Sequence, residues 1–380
     1  MPKIGLNYTY LSPKHAGGKD QVGLNLLAGF HELNLLEHFV VICFDYSKDV
    51  ILSIAPEANV ITIPCKDING NELKRMLRLL CVGTFKIPDI IYKQDIGLIF
   101  QLSCNNGLRR FSVPSIVIPH DIKAVSHRVL ASVKVPLYKY WLYRIMYYND
   151  FRLANKIIAI SDYDKNDIAT HYSKFKNKIV RIYNPINIKY VPKKDRVTKP
   201  YICALNIQFH HKNTITLIKA FEMIKDKVSH DLVLIGSVPE RVKYLKEYVQ
   251  QHNLEQRIHF TGFLPDEEMY KLLANCSLYV NPSLYEGFGM TAIEAMIFEV
   301  PVLVSNIPAN YEVTQGLCNY YEPVEDANAL AKKIVFVLEQ KNDQKMLHQI
   351  RRTIEKKYNY VTISKNYYDL FVSVLEGMKE

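Results

Sequence analysis

Two glutamates eight positions apart, Glu286 and Glu294, mark the stretch of this 380-residue chain best suited to chemistry. They lie in NPSLYEGFGMTAIEAM, Asn281 to Met296, on either side of the turn Glu286-Gly287-Phe288-Gly289. The apolar run Cys276 to Val280 predicts a strand before the turn. Thr291 to Phe298 predicts a helix after it, and Val300 to Val304 a second strand. A strand–helix–strand unit sets its loop at the carboxyl end of a strand, where open α/β sheets hold ligands. A helix starting near Gly289 leaves the N–H groups of Gly289, Met290 and Thr291 without intrahelical partners and ready for an anion. Glu286 in the loop and Glu294 in the first helical turn then add acceptors on either side. Taken singly, each residue has a plain structural reason. The helix dipole favours an acid in a first turn by about 0.3–1 kcal/mol, and glycine is ordinary in a strand-to-helix turn. Together they suit a ligand that carries both phosphate and many hydroxyls, as a nucleotide sugar does.

Four further positions sit where a ligand loop is expected. After the first strand comes Ser12-Pro13-Lys14-His15-Ala16-Gly17-Gly18-Lys19-Asp20. It has paired glycines but no G-x-G-x-x-G, which argues against a dinucleotide-binding dehydrogenase. His120-Asp121 follows the apolar run Ser115 to Ile118, although a lone histidine at a strand end is more often incidental than catalytic. Asn206 to Asn213 (NIQFHHKN) follows the first strand of the second half and carries Lys212, a compact point charge suited to phosphate. Gly262-Phe263-Leu264 ends a later strand ahead of a helix at Asp266.

The elements that must position these residues form two successive strand–helix series. The first runs through Lys3–Tyr8, Phe39–Phe44, Val60–Ile63, Leu98–Leu102, Ser115–Ile118, Lys156–Ile160 and Lys178–Ile182. Asn184 to Lys199 is rich in proline and charge and reads as a linker. The second series runs through Tyr201–Leu205, Leu232–Ile235, Arg257–Phe260, Leu278–Asn281 and Val300–Val304. Helices alternate with these strands at Thr214–Ile224, Glu240–Gln250, Asp266–Ala274 and Asp326–Leu338. Such alternation implies parallel sheets, and two sheets on one linker imply a ligand cleft between domains.

Composition agrees with two α/β domains: 48% of the residues are hydrophobic, enough for two cores. There is no run long and apolar enough for a transmembrane helix, and the start MPKIGLNYTYL lacks a signal-peptide pattern. Seven scattered cysteines without a C-x-x-C pair speak for a reducing, cytoplasmic setting and against a zinc site. The net charge of +10 is uneven. Residues 1–190 hold 25 Lys and Arg against 15 Asp and Glu, while residues 191–380 hold 23 of each. The excess gathers around His127 to Lys156, where Lys134, Lys139, Arg144 and Arg152 interleave with Tyr138, Tyr140, Trp141, Tyr143, Tyr147 and Tyr148. This mix suits an anionic membrane surface, or else a solvated helix with an aromatic packing face. It contains no nucleic-acid module.

Taken together, these motifs resemble the E-x7-E signature of retaining glycosyltransferases with two Rossmann-like domains, the GT-B architecture. The nearest likeness is to glycosyltransferase family 4, a mannosyltransferase-like group. The resemblance implies that Glu286 contacts hydroxyls of the donor sugar, that Glu294 binds the ribose, and that amides from Phe288 to Thr291 contact phosphate or sugar. It places the Gly17-Gly18 loop over the donor diphosphate, His120 beside the donor sugar, and Lys212 on the phosphates. Backbone at Leu264 would hold the base, so side chains do not tell uracil from guanine. The family commonly carries an Arg near this lysine, whereas His210 and His211 stand here. Lys156–Ile168 with the following RIYNPIN, and Asn319–Ile334, are further family-like blocks. Residues 1–110, on the acceptor side, match only loosely.

The expected architecture is therefore α/β with two Rossmann-like domains facing a central cleft. Residues 1–190 form the acceptor side, residues 191–358 bind the nucleotide sugar, and a helix in 359–380 crosses back onto the first domain. The implied activity is retaining transfer of a hexose-type sugar, mannose or similar, to an acceptor hydroxyl in bacterial surface polysaccharide or glycolipid assembly. Neither cofactor nor metal is expected, since no D-x-D motif stands in a suitable loop. The acceptor is a lipid-linked molecule or an oligosaccharide, and the location cytoplasmic, peripheral on the inner membrane face. A non-hydrolysing sugar-nucleotide epimerase and a non-catalytic scaffold subunit share the architecture and remain alternatives.

Overall fold

A computed structural model describes residues 2–13, 17–65, 72–127, 129–130, 133–188, 191–194, 198–340 and 343–377. Lys14, His15 and Ala16 of the glycine loop, parts of the linker and Met378 lie outside the described residues. In the first half the strands are β1 (Lys3–Asn7), β2 (Phe39–Phe44), β3 (Val60–Ile63), β4 (Ile96–Gln101) and β5 (Ser115–Val117). A short antiparallel hairpin, β6 (Val129–Leu130) and β7 (Val133–Lys134), is followed by β8 (Lys156–Ala159) and β9 (Ile179–Arg181). Apart from the hairpin these strands pair in parallel in the order β3-β2-β1-β4-β5-β8-β9. The second sheet holds β10 (Tyr201–Leu205), β11 (Asp231–Ile235), β12 (Ile258–Gly262), β13 (Leu278–Asn281), β14 (Val302–Ser305) and β15 (Asn319–Tyr321). Its order is β12-β11-β10-β13-β14-β15, again parallel.

The strands read as continuous apolar runs because helices cover both faces of each sheet. Every residue of β2 (FVVICF) is buried. Val40, Ile42 and Phe44 join one core with Ile63, Ile87 and Ile99. Phe39, on the alternate face of the pleat, meets an aromatic layer of Phe30 (4.5 Å between ring centres) and Phe371 (6.5 Å). In the second sheet, Leu232, Leu234, Leu278 and Val280 pack with Leu217, Phe221, Leu330 and Ile334 from flanking helices.

The chain divides into two units. Met1–Ser126, Val135–Asn187 and Tyr358–Glu380 form one, and His127–Lys134 with Ile188–Lys357 the other. The β6–β7 hairpin thus groups with the second sheet, although its sequence position falls within 1–190. The last helix, Tyr360–Glu376, belongs to the first unit, where it packs along helix Gly18–Glu32. Asn359 caps it by accepting from Thr362 N at 3.0 Å. The two helices approach closely at Gly29, where an added Cβ would overlap Ser364 and come within 2.8 Å of the Tyr360 carbonyl. Gly29→Ala is therefore expected to lower stability by about 1–3 kcal/mol through overpacking, measured by denaturant titration. An unchanged midpoint would contradict this close packing.

Candidate functional site

In the second sheet the chain runs outward from β10 through β11 to β12, then returns to β13 beside β10 and proceeds through β14 to β15. The β10/β13 boundary is thus a topological switch point, and the carboxyl ends of two such strands are where open α/β sheets form their ligand crevice. The loops leaving β10 and β13 carry the strongest candidates from sequence, and the structure brings these together. Lys212 Nζ lies 2.6 Å from Glu286 Oε1, both groups nearly buried. Asn281 Nδ2 donates to the same oxygen at 3.1 Å. Leu284 N donates to the His211 carbonyl at 2.8 Å, tying one loop to the other. Asn206 Nδ2 reaches Thr291 Oγ1 at 3.5 Å and ties the first loop to the following helix.

Backbone conformation makes this crossing possible. Asn206 and Asn213 bound the β10 loop with φ of 62° and 52°, the left-handed region that asparagine enters more readily than most residues. Gly289 has φ 82° and ψ 43° immediately before helix Met290–Ile297. A Cβ there would sit 3.4 Å from Asn310 Oδ1, and the left-handed conformation itself favours glycine. As N-cap, Gly289 provides no side chain to satisfy the first amides of the helix, so the Gly289-Met290-Thr291 turn suits an anion. Behind it, fully buried Asn310 donates to Ser305 O at 3.0 Å, and Ser305 donates to the Ser283 carbonyl. That network fixes the loop holding Glu286.

The two glutamates differ in charge state. Burial pushes the Glu286 carboxyl up, but the Lys212 ammonium, with His211 and a Ser283 hydrogen bond, overrides burial and holds it at about 2. Burial pushes Glu294 up as well, reinforced by Asp266 and only partly opposed by Tyr270, to about 7. Tyr270 Oη donates to Glu294 Oε1 at 3.4 Å. From sequence, Glu294 is expected in the first helical turn. It is the fifth residue of helix Met290–Ile297, because left-handed Gly289 caps the helix and lets it start at Met290, one residue before Thr291, so that the first turn carries no acid. The dipole argument therefore does not account for Glu294.

The other second-unit residues are placed as follows. Phe288 is buried, and Met290 and Thr291 are half-buried at the helix start. Gly262 ends β12 with φ 76°, and Leu264 is half-buried before helix Asp266–Asn275. Lys212 is not an unengaged phosphate cation, since its charge is matched by Glu286. A second permanent charge reaches the same loop from elsewhere. Arg241 Nε donates to Gln208 O at 2.8 Å, and its guanidinium lies 5.3 Å from the Phe209 ring centre. Burial, then Arg241, lowers the pKa of His210. No local motif marks Arg241, which follows β11 rather than β10. His127, just ahead of the hairpin, also reaches the loop after β13, as its ring lies 4.6 Å from that of buried Tyr285.

In the first unit the switch point falls between β1 and β4, where Asn7 Nδ2 donates to Gln101 Oε1 at 2.5 Å. His120, after β5, is buried with φ 66°. Its Nε2 is 2.9 Å from the Leu102 carbonyl, an acceptor, so Nε2 carries the hydrogen and Nδ1 the lone pair. Burial, aided by Lys19, pushes its pKa down to about 3, so it is neutral near pH 7. Gly17, with φ 115°, caps helix Gly18–Glu32, and both glycines are exposed. Asp20 of that helix accepts from Ser12 N at 3.2 Å, closing the base of the loop. Among the described residues, no group of three or more His, Cys, Asp or Glu side chains is arranged to hold a metal ion.

The second unit has a match among known families. Residues 189–357 match the family described as Glycosyl transferases group 1. O-antigen chain mannosyltransferase RfbU of Salmonella typhimurium is 28% identical over 185 residues, covering 48% of this chain and 51% of the relative. The chain thus spans about half the length of this curated relative. The crystal structure of Anabaena Alr3699/HepE in complex with UDP and glucose shares the fold with a TM-score of 0.74 at 18% identity, over 98% of this chain and all of that one. Sucrose-phosphate synthase from Thermosynechococcus elongatus reaches a TM-score of 0.81 at 17% identity, over 99% of this chain and 100% of that chain. At these identities the likeness is one of fold, the two-sheet GT-B architecture.

Proposed function

We propose that this protein is a retaining, metal-independent glycosyltransferase of family 4. It moves a hexose-type sugar, mannose or similar, from a nucleoside diphosphate to an acceptor hydroxyl during bacterial surface polysaccharide or glycolipid assembly. The observation that carries this reading is the β10/β13 crevice, where Glu286, Lys212 and the Gly289-Met290-Thr291 turn converge, with Glu294 one turn deeper. This crevice lies inside the span that matches a glycosyltransferase family. The Salmonella relative, a mannosyltransferase, supports mannose, and the HepE complex with UDP and glucose supports a nucleotide donor.

On this reading Glu286 accepts from donor-sugar hydroxyls, Glu294 from the ribose, and the backbone at Leu264 holds the base. The amides of Phe288 to Thr291, Lys212 and the Gly17-Gly18 loop stabilise the diphosphate. The bond from C1 to the β-phosphate oxygen breaks while the acceptor oxygen bonds C1 from the same face. The departing phosphate oxygen takes the acceptor's proton. His120, neutral and with its lone pair on Nδ1, accepts a hydrogen bond from the sugar and donates no proton. The protein's contribution is positioning and stabilisation of the leaving group.

Incubation with a panel of UDP- and GDP-sugars tests this. Acceptor-dependent release of nucleoside diphosphate is expected. Conversion of the sugar nucleotide without acceptor would instead indicate an epimerase, and inertness to the whole panel a scaffold. Activity is expected to survive EDTA, and strict dependence on Mn²⁺ or Mg²⁺ would contradict the phosphate-binding roles given above. A further expectation concerns pH. Glu294 accepts from ribose hydroxyls more strongly when ionised, yet its pKa of about 7 leaves it half-protonated near neutrality in the free protein. Nucleotide binding should therefore release a proton near neutrality and weaken as pH falls below about 7, as read by calorimetry in buffers of different ionisation enthalpy. Affinity independent of pH from 5 to 8, on the order of the range that brackets this group, would remove Glu294 from ribose contact.

A further inference from the structure

Helix Leu137–Leu153 of the first unit has two faces that its sequence does not separate. Tyr140, Tyr143, Tyr147 and Phe151 turn inward and pack with Val117, Ile122 and Ile157. Tyr138, Trp141, Ile145 and Tyr148 turn outward, three or four residues apart, and form one stripe along the helix. The first three remain 69%, 53% and 64% exposed. A stripe of large apolar side chains in water calls for a partner.

The charges beside the stripe indicate which partner. The only acid of this helix, Asp150, is buried and accepts from Asn106 N at 2.7 Å, so the exposed face has no carboxylate. At its far end Arg152 is exposed and donates to Asn149 Oδ1 at 3.1 Å, while Asn149 donates to the Gly107 carbonyl at 2.8 Å. That bond joins the helix to Leu108-Arg109-Arg110, all exposed. Leu108 N in turn donates to Thr84 Oγ1 at 3.1 Å, beside exposed Phe85 and Lys86. Hydrogen bonds thus link a stripe of aromatic and aliphatic side chains to an edge holding Phe85, Leu108 and four cations.

We propose that this surface docks on an anionic lipid bilayer, with the helix axis parallel to the membrane plane. The stripe enters the interfacial layer, where Trp and Tyr are favoured, and Lys86, Arg109, Arg110 and Arg152 face the headgroups. Of the four cations that the sequence suggests, only Arg152 belongs to this edge. The Lys134 side chain lies outside the described residues, and Lys139 is half-buried. Arg144 is half-buried too; it donates to Tyr140 Oη at 3.2 Å and lies 5.9 Å from the Tyr172 ring centre. It braces the helix rather than meeting lipid. This docking does not depend on the transfer chemistry, and its test needs no substrate.

Trp141 is the single tryptophan of the chain, so intrinsic fluorescence reports on the stripe directly. The full-length protein is mixed with vesicles of phosphatidylcholine alone or of phosphatidylcholine with phosphatidylglycerol. With the anionic vesicles the emission is expected to shift to the blue, to be quenched by brominated acyl chains, and to revert as salt screens the cations. Neutral vesicles should leave it unchanged. Combined Arg109→Gln, Arg110→Gln and Arg152→Gln should reduce partitioning on the order of a hundredfold, with unchanged circular dichroism. Sedimentation with anionic vesicles without any change at Trp141 would place the lipid contact elsewhere and overturn the proposal. So would failure to bind them, or a dimer in sedimentation velocity that Ile145→Asp dissolves, which would assign the stripe to a second copy of the chain.

Discussion

Glu286→Ala is expected to reduce glycosyl transfer by about tenfold to a hundredfold. A hydrogen bond to a charged acceptor contributes roughly 1.5–3 kcal/mol, and on the proposed reading this carboxylate accepts from the sugar whose C1 must be oriented. The substitution also removes the partner of Lys212, whose side chain is nearly buried, so part of any loss reflects a released cation. Glu286→Gln separates the two effects, since it keeps the shape and the contact to Asn281 but not the charge. Both variants should fold, bind nucleoside diphosphate with modestly altered affinity, and lose turnover. Wild-type turnover in Glu286→Ala would end the assignment of this residue to the donor sugar.

Lys212→Met should act on stability as well as on catalysis. In the wild type the Glu286 pKa falls from 4.5 to about 2, and it does so because burial, which raises it, is overcome by the ammonium. A depressed carboxyl pKa stabilises the fold above the unfolded value, and that contribution disappears as pH falls through the folded value. Here the shift corresponds to about 3 kcal/mol, present above about pH 4.5 and lost towards pH 2. Without Lys212 only burial remains as the dominant influence, and the sign reverses. The carboxyl pKa rises, and stability then falls as pH climbs through it. At neutral pH the variant should be less stable by roughly 3–5 kcal/mol, the cost of leaving one member of a buried pair unmatched, with a smaller deficit in acid. Denaturant midpoints between pH 4 and 8, a window on the order of the carboxyl range concerned, check this. A deficit independent of pH would show that the pair is not what holds Glu286 ionised.

Much of the fold is legible in the sequence because both sheets are buried on two sides. Runs such as FVVICF and YICAL then stand out as uninterrupted apolar segments, and Asp45 and Asn206 mark the turns beyond them. The shortest strands lack that signal. Two-residue β6 and β7 cannot show a period, and their grouping with the second unit rests on contacts distant in sequence. The site is legible as a set of residues but not as a set of pairs. Lys212 and Glu286 are 74 positions apart, and only the β10/β13 switch point brings them together. Glu294 falls just past the first turn because the helix starts at Met290, one residue ahead of the run that the sequence marks, and the conformation of Gly289 sets that start. Tyrosines on both faces of helix Leu137–Leu153 hide its amphipathic character, so that its bare stripe emerges only once burial is known. Arg241 reaches Gln208 and Phe209 of the β10 loop from a different strand's loop, where local sequence carries no trace of it.

The central claim is that the β10/β13 crevice binds a nucleotide, and titration calorimetry with UDP and GDP tests it most directly. One of the two is expected to bind the full-length wild-type protein at a single site in the absence of metal. Glu294→Ala should weaken that binding about tenfold or more, as loss of one charged hydrogen bond of roughly 1.5–3 kcal/mol requires. Gly29→Ala, remote in sequence and in the other unit, should leave it unchanged. Failure of both nucleotides to bind the wild-type protein, or equal affinity in Glu294→Ala, would contradict the account.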